Sequence, residues 1–365
     1  MKNTQLRKLI SLIILVLLLA SLGVYSVLSA PGSPESITQP EELPQMLVIA
    51  DPVEPLDPVY LPAPEETQLY APQAATITVT YVGAWDPSAQ AAFTYAKNLW
   101  QSQITSSVPI RIEARWQALG TGVLGGTSWA GAFVNFSGAP FTNTAYPNAL
   151  ANKLAGTDLN TSTGDIIVTM NSSFPSWYYG TSGVPPSGRY DFVSVVMHEI
   201  THGLGFAGSM RVGLTSCGSS SYGCWGLSGG STLYPTVYDK YAVRGDNVSL
   251  LNTVTFPNPS TALRTVLTSG NVYFDGPQAK SANGGNKPKL FTPASWASGS
   301  SFSHLDEIYN GTSNAMMTYS LAPREVIHDP GAIARGMLRD IGWTTSVPTP
   351  TFTPRVFIRL PLVRR

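Results

Sequence analysis

The residues best placed to do chemistry are His198-Glu199-Ile200-Thr201-His202. Two imidazoles stand four residues apart, with a carboxylate beside the first. On a helix they share one face, so both can reach a single ion. Zinc accepts imidazole nitrogen, and a catalytic zinc site adds a third protein ligand and an open position for water. Glu199 is placed to take the proton of that water. The bland alternative is a buried helix with two satisfied histidines. The chain has only 4 histidines, and two of them falling into this spacing favours the metal.

The surrounding residues supply the element that such a site needs. Residues 192–197, Phe-Val-Ser-Val-Val-Met, predict a buried helix with Asp191 as its N-cap. Gly203-Leu204-Gly205-Phe206 predicts an abrupt stop, with Gly205 taking the left-handed conformation that turns the chain back. The third ligand must come from elsewhere. His304, His328 and a carboxylate, Asp306 or Glu307, compete for it. In Ser303-His304-Leu305-Asp306-Glu307 a carboxylate stands close enough in sequence to orient a ligating imidazole.

H-E-x-x-H-x-x-G resembles the metzincin clan of zinc metallopeptidases. That clan usually has a third histidine three residues after the glycine, where this chain has Gly208. Leishmanolysin-like enzymes depart in the same way, with a long insertion before the third histidine. Here the next histidine is His304, and Asn314-Ala315-Met316-Met317-Thr318-Tyr319 follows it, resembling the clan's Met-turn. The resemblance covers roughly the second half of the chain well and the first half in outline. It implies an α+β catalytic domain, a twisted mixed sheet over the zinc helix, with a large loop-rich insertion and a C-terminal helix. It implies His198, His202 and His304 as ligands of one Zn2+ and Met317 as packing beneath it. Tyr319 follows Met317 by two, as in astacin-like and serralysin-like turns, where the tyrosine contacts the zinc or the oxyanion; the alternative is a core tyrosine. It also implies that the strand nearest the cleft binds the substrate backbone by edge pairing, and residues 165–170 are the expected strand.

Composition bounds the remainder. The chain has 365 residues, 12% of them charged, with formal net charge zero. No basic field exists to hold nucleic acid. Cys217 and Cys224 are the only cysteines and flank a Gly/Ser-rich loop. A disulfide is expected over free thiols or a soft-metal pair. Residues 1–30 carry Lys2, Arg7 and Lys8 before a long apolar run, which reads as a signal peptide or an uncleaved N-terminal anchor. Residues 31–75 are rich in Pro and Glu and lack Lys, Arg and Cys. They read as an extended, poorly packed propeptide or spacer. A cysteine latency switch is thereby excluded, and Asp51 or Asp57 remains as a carboxylate that could cap the zinc.

The domain is expected over 76–345. Strands are predicted near 76–81, 109–116, 132–136 and 165–170, with a helix opened by Asp86-Pro87 and running to about residue 104. Trp177-Tyr178-Tyr179 reads either as a cleft wall or as an aromatic loop packed on the domain. The insertion, 207–303, holds a strand-like 236–241 and a helical 260–267. It contains no calcium-loop pattern, and nothing singles out Asp239 or Asp275 as ligands of a structural calcium. A C-terminal helix is capped by Asp329, begins at Pro330 and stops at Gly342. Residues 346–365 are a Pro/Thr linker and a tail, either a surface-retention tag or an edge strand.

The expected function is a secreted zinc metalloendopeptidase acting on protein or peptide, with no membrane role beyond the N-terminal segment. The rivals are a non-catalytic extracellular binding or adhesion module on the same fold, and a zinc amidase acting on cell-wall peptide.

Overall fold

The structure, a computed structural model, describes residues 34–37, 46–64, 74–213 and 215–345. The expected targeting segment and the C-terminal linker and tail lie outside the described residues. Among the described residues no helix is long and apolar enough to cross a membrane.

The architecture is α+β, with six α-helices and a six-stranded mixed sheet among the described residues. The helices are α1 (Pro87–Gln103), α2 (Asn148–Ala155), α3 (Phe192–Gly203), α4 (Thr261–Leu267), α5 (Pro277–Ala282) and α6 (Gly331–Ile341). The sheet strands are β1 (Met46–Ala50), β2 (Ile77–Val82), β3 (Ile110–Gln117), β4 (Val123–Trp129), β5 (Ile166–Asn171) and β6 (Ser320–Leu321), in the spatial order β6-β1-β4-β5-β3-β2. β2, β3 and β5 run parallel, β4 runs antiparallel to β5 and to β1, and β6 runs parallel to β1.

α3 forms where its sequence demands it. The Asp191 carboxylate accepts the Ser194 amide at 2.8 Å and caps the first turn. All twelve of its residues are buried, so the helix is core on every side. The indole of Trp100, on α1, donates to the Met197 carbonyl at 3.0 Å and ties the two helices together. Gly205 has φ +110° and turns the chain back. Gly203 lies against β5, where a Cβ would overlap the side chain of Ile166. Gly203→Ala should therefore destabilise the protein by about 1–3 kcal/mol, the usual scale of core overpacking. Chemical denaturation checks this, and an unchanged midpoint would show that Ile166 can move aside.

Four expectations need correction. Residues 46–50, placed in a poorly packed spacer, form a strand bonded on both sides within the central sheet. Glu35–Ile37 from the same stretch pairs with Ala132–Val134. β5, expected at the cleft edge, lies inside the sheet between β4 and β3. The predicted strand at 132–136 ends at Val134, since Asn135 takes φ +54°, and it belongs to a separate three-stranded sheet. Residues 236–241 are not a strand, because the Asp239 carboxylate accepts the Thr236 amide at 2.8 Å and curls the segment into a 3-10 turn at Asp239–Tyr241.

Other elements fall where their patterns put them. Ser260 caps α4 by accepting the Leu263 amide at 3.0 Å. Asp329 accepts the Gly331 amide at the start of α6, which begins one residue after Pro330. Cys217 and Cys224 form a disulfide. Trp177 and Tyr179 pack edge-on against Phe192 at the head of α3.

Candidate metal centre

His198 and His202 project from α3 and meet His304, which arrives 102 residues later. Their three Nε2 atoms lie 3.0, 3.1 and 3.1 Å apart. All three rings are buried. Each Nδ1 donates to a backbone carbonyl: His198 to Met316 at 2.6 Å, His202 to Phe206 at 2.7 Å, His304 to Ser300 at 2.7 Å. That spends the N–H of each neutral ring and leaves three Nε2 lone pairs facing one another. Three acceptors this close repel unless a cation lies among them. Burial holds the His198 imidazole down, to about 4, against the pull of the Met316 carbonyl. Burial also holds His202 and His304 well below the usual histidine range, helped by repulsion from the neighbouring rings. All three are therefore in the neutral, ligating form at pH 7. A buried three-histidine group of this kind could hold a metal ion.

Glu199 follows His198 on α3 and is fully buried. Its Oε2 accepts the Thr127 hydroxyl at 2.8 Å, while Oε1 has no hydrogen-bond partner. Burial pushes its carboxyl up to about 8, opposed by the Thr127 hydroxyl and the backbone of Val48. The one Thr127 hydroxyl proton is shared between that carboxylate oxygen and the Glu199 carbonyl, 2.9 Å away, and the Trp129 indole donates to the His202 carbonyl at 2.9 Å. β4 thus fixes both ends of the H-E-x-x-H turn. On the same strand, a Cβ on Gly125 would stand 3.2 Å from Glu199 Oε1, so glycine there leaves space beside the carboxylate. Thr127, Gly125 and Trp129 carried no motif, and nothing in the sequence alone marks them.

The competing ligands lie elsewhere. His328 is buried, and its Nε2 meets Asp191 Oδ2 at 2.8 Å. The same oxygen accepts the Ser194 hydroxyl at 2.7 Å, and that hydroxyl accepts the Ile327 amide at 2.7 Å. His328 therefore braces the N-cap of α3 from inside the protein instead of facing solvent. Asp306 pairs with Lys289 at 3.1 Å. Burial pushes the Glu307 carboxyl up to about 7, and its Oε2 accepts from Asn310 at 3.2 Å. Asp51, a candidate cap for the metal, turns its carboxylate to the Val53 amide at 2.9 Å, and Asp57 is exposed. Asp239 accepts from Ser209 and Thr236, and Asp275 pairs with Lys280 at 2.6 Å.

Met316 and Met317 are both buried. Met316 lines a small cavity together with His198, Val195, Val48 and Leu321, while the Met317 carbonyl accepts the Leu305 amide at 2.8 Å. The ring of Tyr319 stacks on Phe291, with centroids 4.4 Å apart.

The contrast between the two remaining histidines gives a direct test. His328→Ala should keep full metal stoichiometry and lower thermal stability, because it removes one partner of the buried Asp191 carboxylate, leaving only Ser194, at a cost of about 1–3 kcal/mol. Elemental analysis alongside calorimetry checks both halves. Loss of metal at unchanged stability would make His328 a ligand.

The chain matches no protein-family model, no curated protein and no solved structure. The functional reading therefore rests on the residues themselves.

Proposed function

We propose that this protein is a secreted zinc metalloendopeptidase of leishmanolysin-like metzincin type. One observation carries the reading: three neutral imidazoles converge, and the next residue along the helix presents a buried carboxylate oxygen with nothing bound to it. A structural metal site closes its fourth position with a protein ligand. Among the described residues the cluster holds three histidines and no fourth Cys, His, Asp or Glu.

Bound zinc would supply Lewis acidity to a carbonyl and lower the pKa of a water towards about 7. The protein's own part is to handle the proton. Thr127 occupies Oε2, so Oε1 of Glu199 is the atom placed to accept a proton from the attacking water and return it to the leaving amine, in the ionised form that a zinc cation beside this buried carboxyl would favour. The three backbone carbonyls hold each imidazole in one tautomer and one orientation, as second-shell partners of metal ligands do. Met316 and Met317 are both buried, and Met316 lines a cavity with His198. The Tyr319 hydroxyl would serve the oxyanion, with its ring stacked on Phe291.

The test is hydrolysis of casein and of a mixed peptide library by zinc-loaded protein. Activity should vanish with a chelator and return with zinc. A zinc-loaded protein inert towards casein and the library alike would be the binding module.

A further inference from the structure

The end of α3 is held from outside the helix. The Gly205 amide donates to the His202 carbonyl at 2.9 Å and the Phe206 amide to the Thr201 carbonyl at 3.2 Å, with Gly205 at φ +110° between them. Those two bonds make a Schellman stop. The same turn aims a metal ligand, because His202 Nδ1 donates to the Phe206 carbonyl at 2.7 Å. The ring sits on the last turn of the helix, and its acceptor lies beyond the stop. A tilt of residues 203–206 therefore turns the His202 ring with it.

Two tryptophans pin that turn. The Trp129 indole, on β4, donates to the His202 carbonyl at 2.9 Å. The Trp343 indole donates to the Leu204 carbonyl at 2.6 Å. Trp343 stands just past the glycine stop of α6, where the Gly342 amide meets the Arg339 carbonyl and the Trp343 amide meets the Leu338 carbonyl. Two helix stops, 139 residues apart in sequence, are thus joined by one indole N–H. Both tryptophans and Leu204 are buried, and a carbonyl left unpaired there loses its bond without gaining water. The turn also has no slack. At Gly203 a Cβ would overlap Ile166, and at Gly205 it would stand 3.1 Å from Ile341 Cδ1, on α6. His198 and His304 are aimed by other carbonyls, those of Met316 and Ser300, to which neither indole bonds.

We propose that Trp343 and Trp129 are positioning residues for the metal ligand His202. Their indole N–H groups hold the turn at residues 204–206, and the Phe206 carbonyl in that turn sets the direction and the tautomer of the His202 ring. α6 lends no ligand, yet it acts on the metal centre through Trp343. This rests on the metal-binding part of the reading above and not on peptide hydrolysis.

The test compares the full chain with Trp343→Phe, Trp129→Phe and Trp177→Phe. Phenylalanine keeps most of the buried ring and deletes the N–H. Trp177 is the control: its indole donates to the Asn171 carbonyl at 3.0 Å, and its ring packs on Phe192 at the other end of α3. Zinc affinity, read by competition with a chromogenic chelator, should fall about tenfold or more in Trp343→Phe and Trp129→Phe, the scale for partners of metal-binding histidines. Trp177→Phe should lose stability and keep the parent affinity. Cobalt(II) in place of zinc should give an altered visible absorption band in the first two variants and the parent band in the third. Either of the first two suffices if the other does not fold. A further readout needs no metal. In the metal-free protein the Nδ1–H proton of His202 should give an NMR signal that fades in Trp343→Phe and Trp129→Phe, while those of His198 and His304 persist. Parental zinc affinity with an intact His202 signal would overturn the proposal, and so would an equal loss of affinity in Trp177→Phe. If the parent itself takes up neither zinc nor cobalt, selective fading of the His202 signal keeps the brace and removes the metal reading. Three unchanged signals in that case remove both.

Discussion

Glu199→Gln should keep the metal and the fold and lose about two to four decades of peptide hydrolysis, the usual scale for a general base. The amide oxygen of glutamine can still accept the Thr127 hydroxyl, which is the contact that positions the side chain. The three histidines and their carbonyl partners are untouched, so metal stoichiometry should stay at one. What the variant lacks is a basic atom at the position of Oε1, now free of any hydrogen-bond partner. The comparison is made on zinc-loaded proteins, against the parent rate. KM should move little, because an amide and a carboxylate fill the same volume in a buried site. A Glu199→Gln protein with near-parental turnover would remove the proton-transfer role and favour a binding module. Thr127→Val is the companion variant: it keeps Glu199 but releases Oε2, so a drop in turnover without loss of metal would mark Thr127 as a positioning residue.

How far the sequence announced this site depends on the kind of signal each residue carries. α3 was legible because a polar cap, a mostly apolar run and a glycine stop agree with one another. His304 was legible because histidines are few and the Met-turn resemblance follows it. β4 was not: Val-Leu-Gly-Gly-Thr-Ser-Trp neither alternates nor clusters β-branched residues. The strand is buried on both faces over much of its length, which erases the period-two pattern. β1 was hidden for a different reason. Met-Leu-Val-Ile-Ala is a plain apolar run, but the Pro and Glu around it set the average for residues 31–75. Its pairing partners are over seventy residues away on one side and about 270 on the other, at Val123 and Ser320. Residues 236–241 failed through turn chemistry, since one aspartate bonding its own neighbours outweighs an alternating pattern.

His304→Ala should lose tightly held metal, activity and the stabilising effect of metal together. In the folded chain His304 brings residues far along the sequence onto α3, so an ion shared with His198 and His202 closes a long loop. Anything bound by the native state and not by the unfolded chain adds RT ln(1 + [L]/Kd), about 2.7 kcal/mol when the free metal is a hundredfold above Kd. A chelator should accordingly lower the melting temperature of the parent protein. It should leave that of His304→Ala unchanged, because two histidines on one helix face no longer hold the ion through dialysis. The variant also strands the Ser300 carbonyl and opens a buried void, so part of its own loss of stability is independent of metal. The chelator-dependent difference separates the two contributions, and His304→Gln, which refills most of the void, should recover the second and not the first. Full metal occupancy in dialysed His304→Ala would sink the three-histidine site, and with it the leishmanolysin-like reading of the stretch between Gly205 and His304.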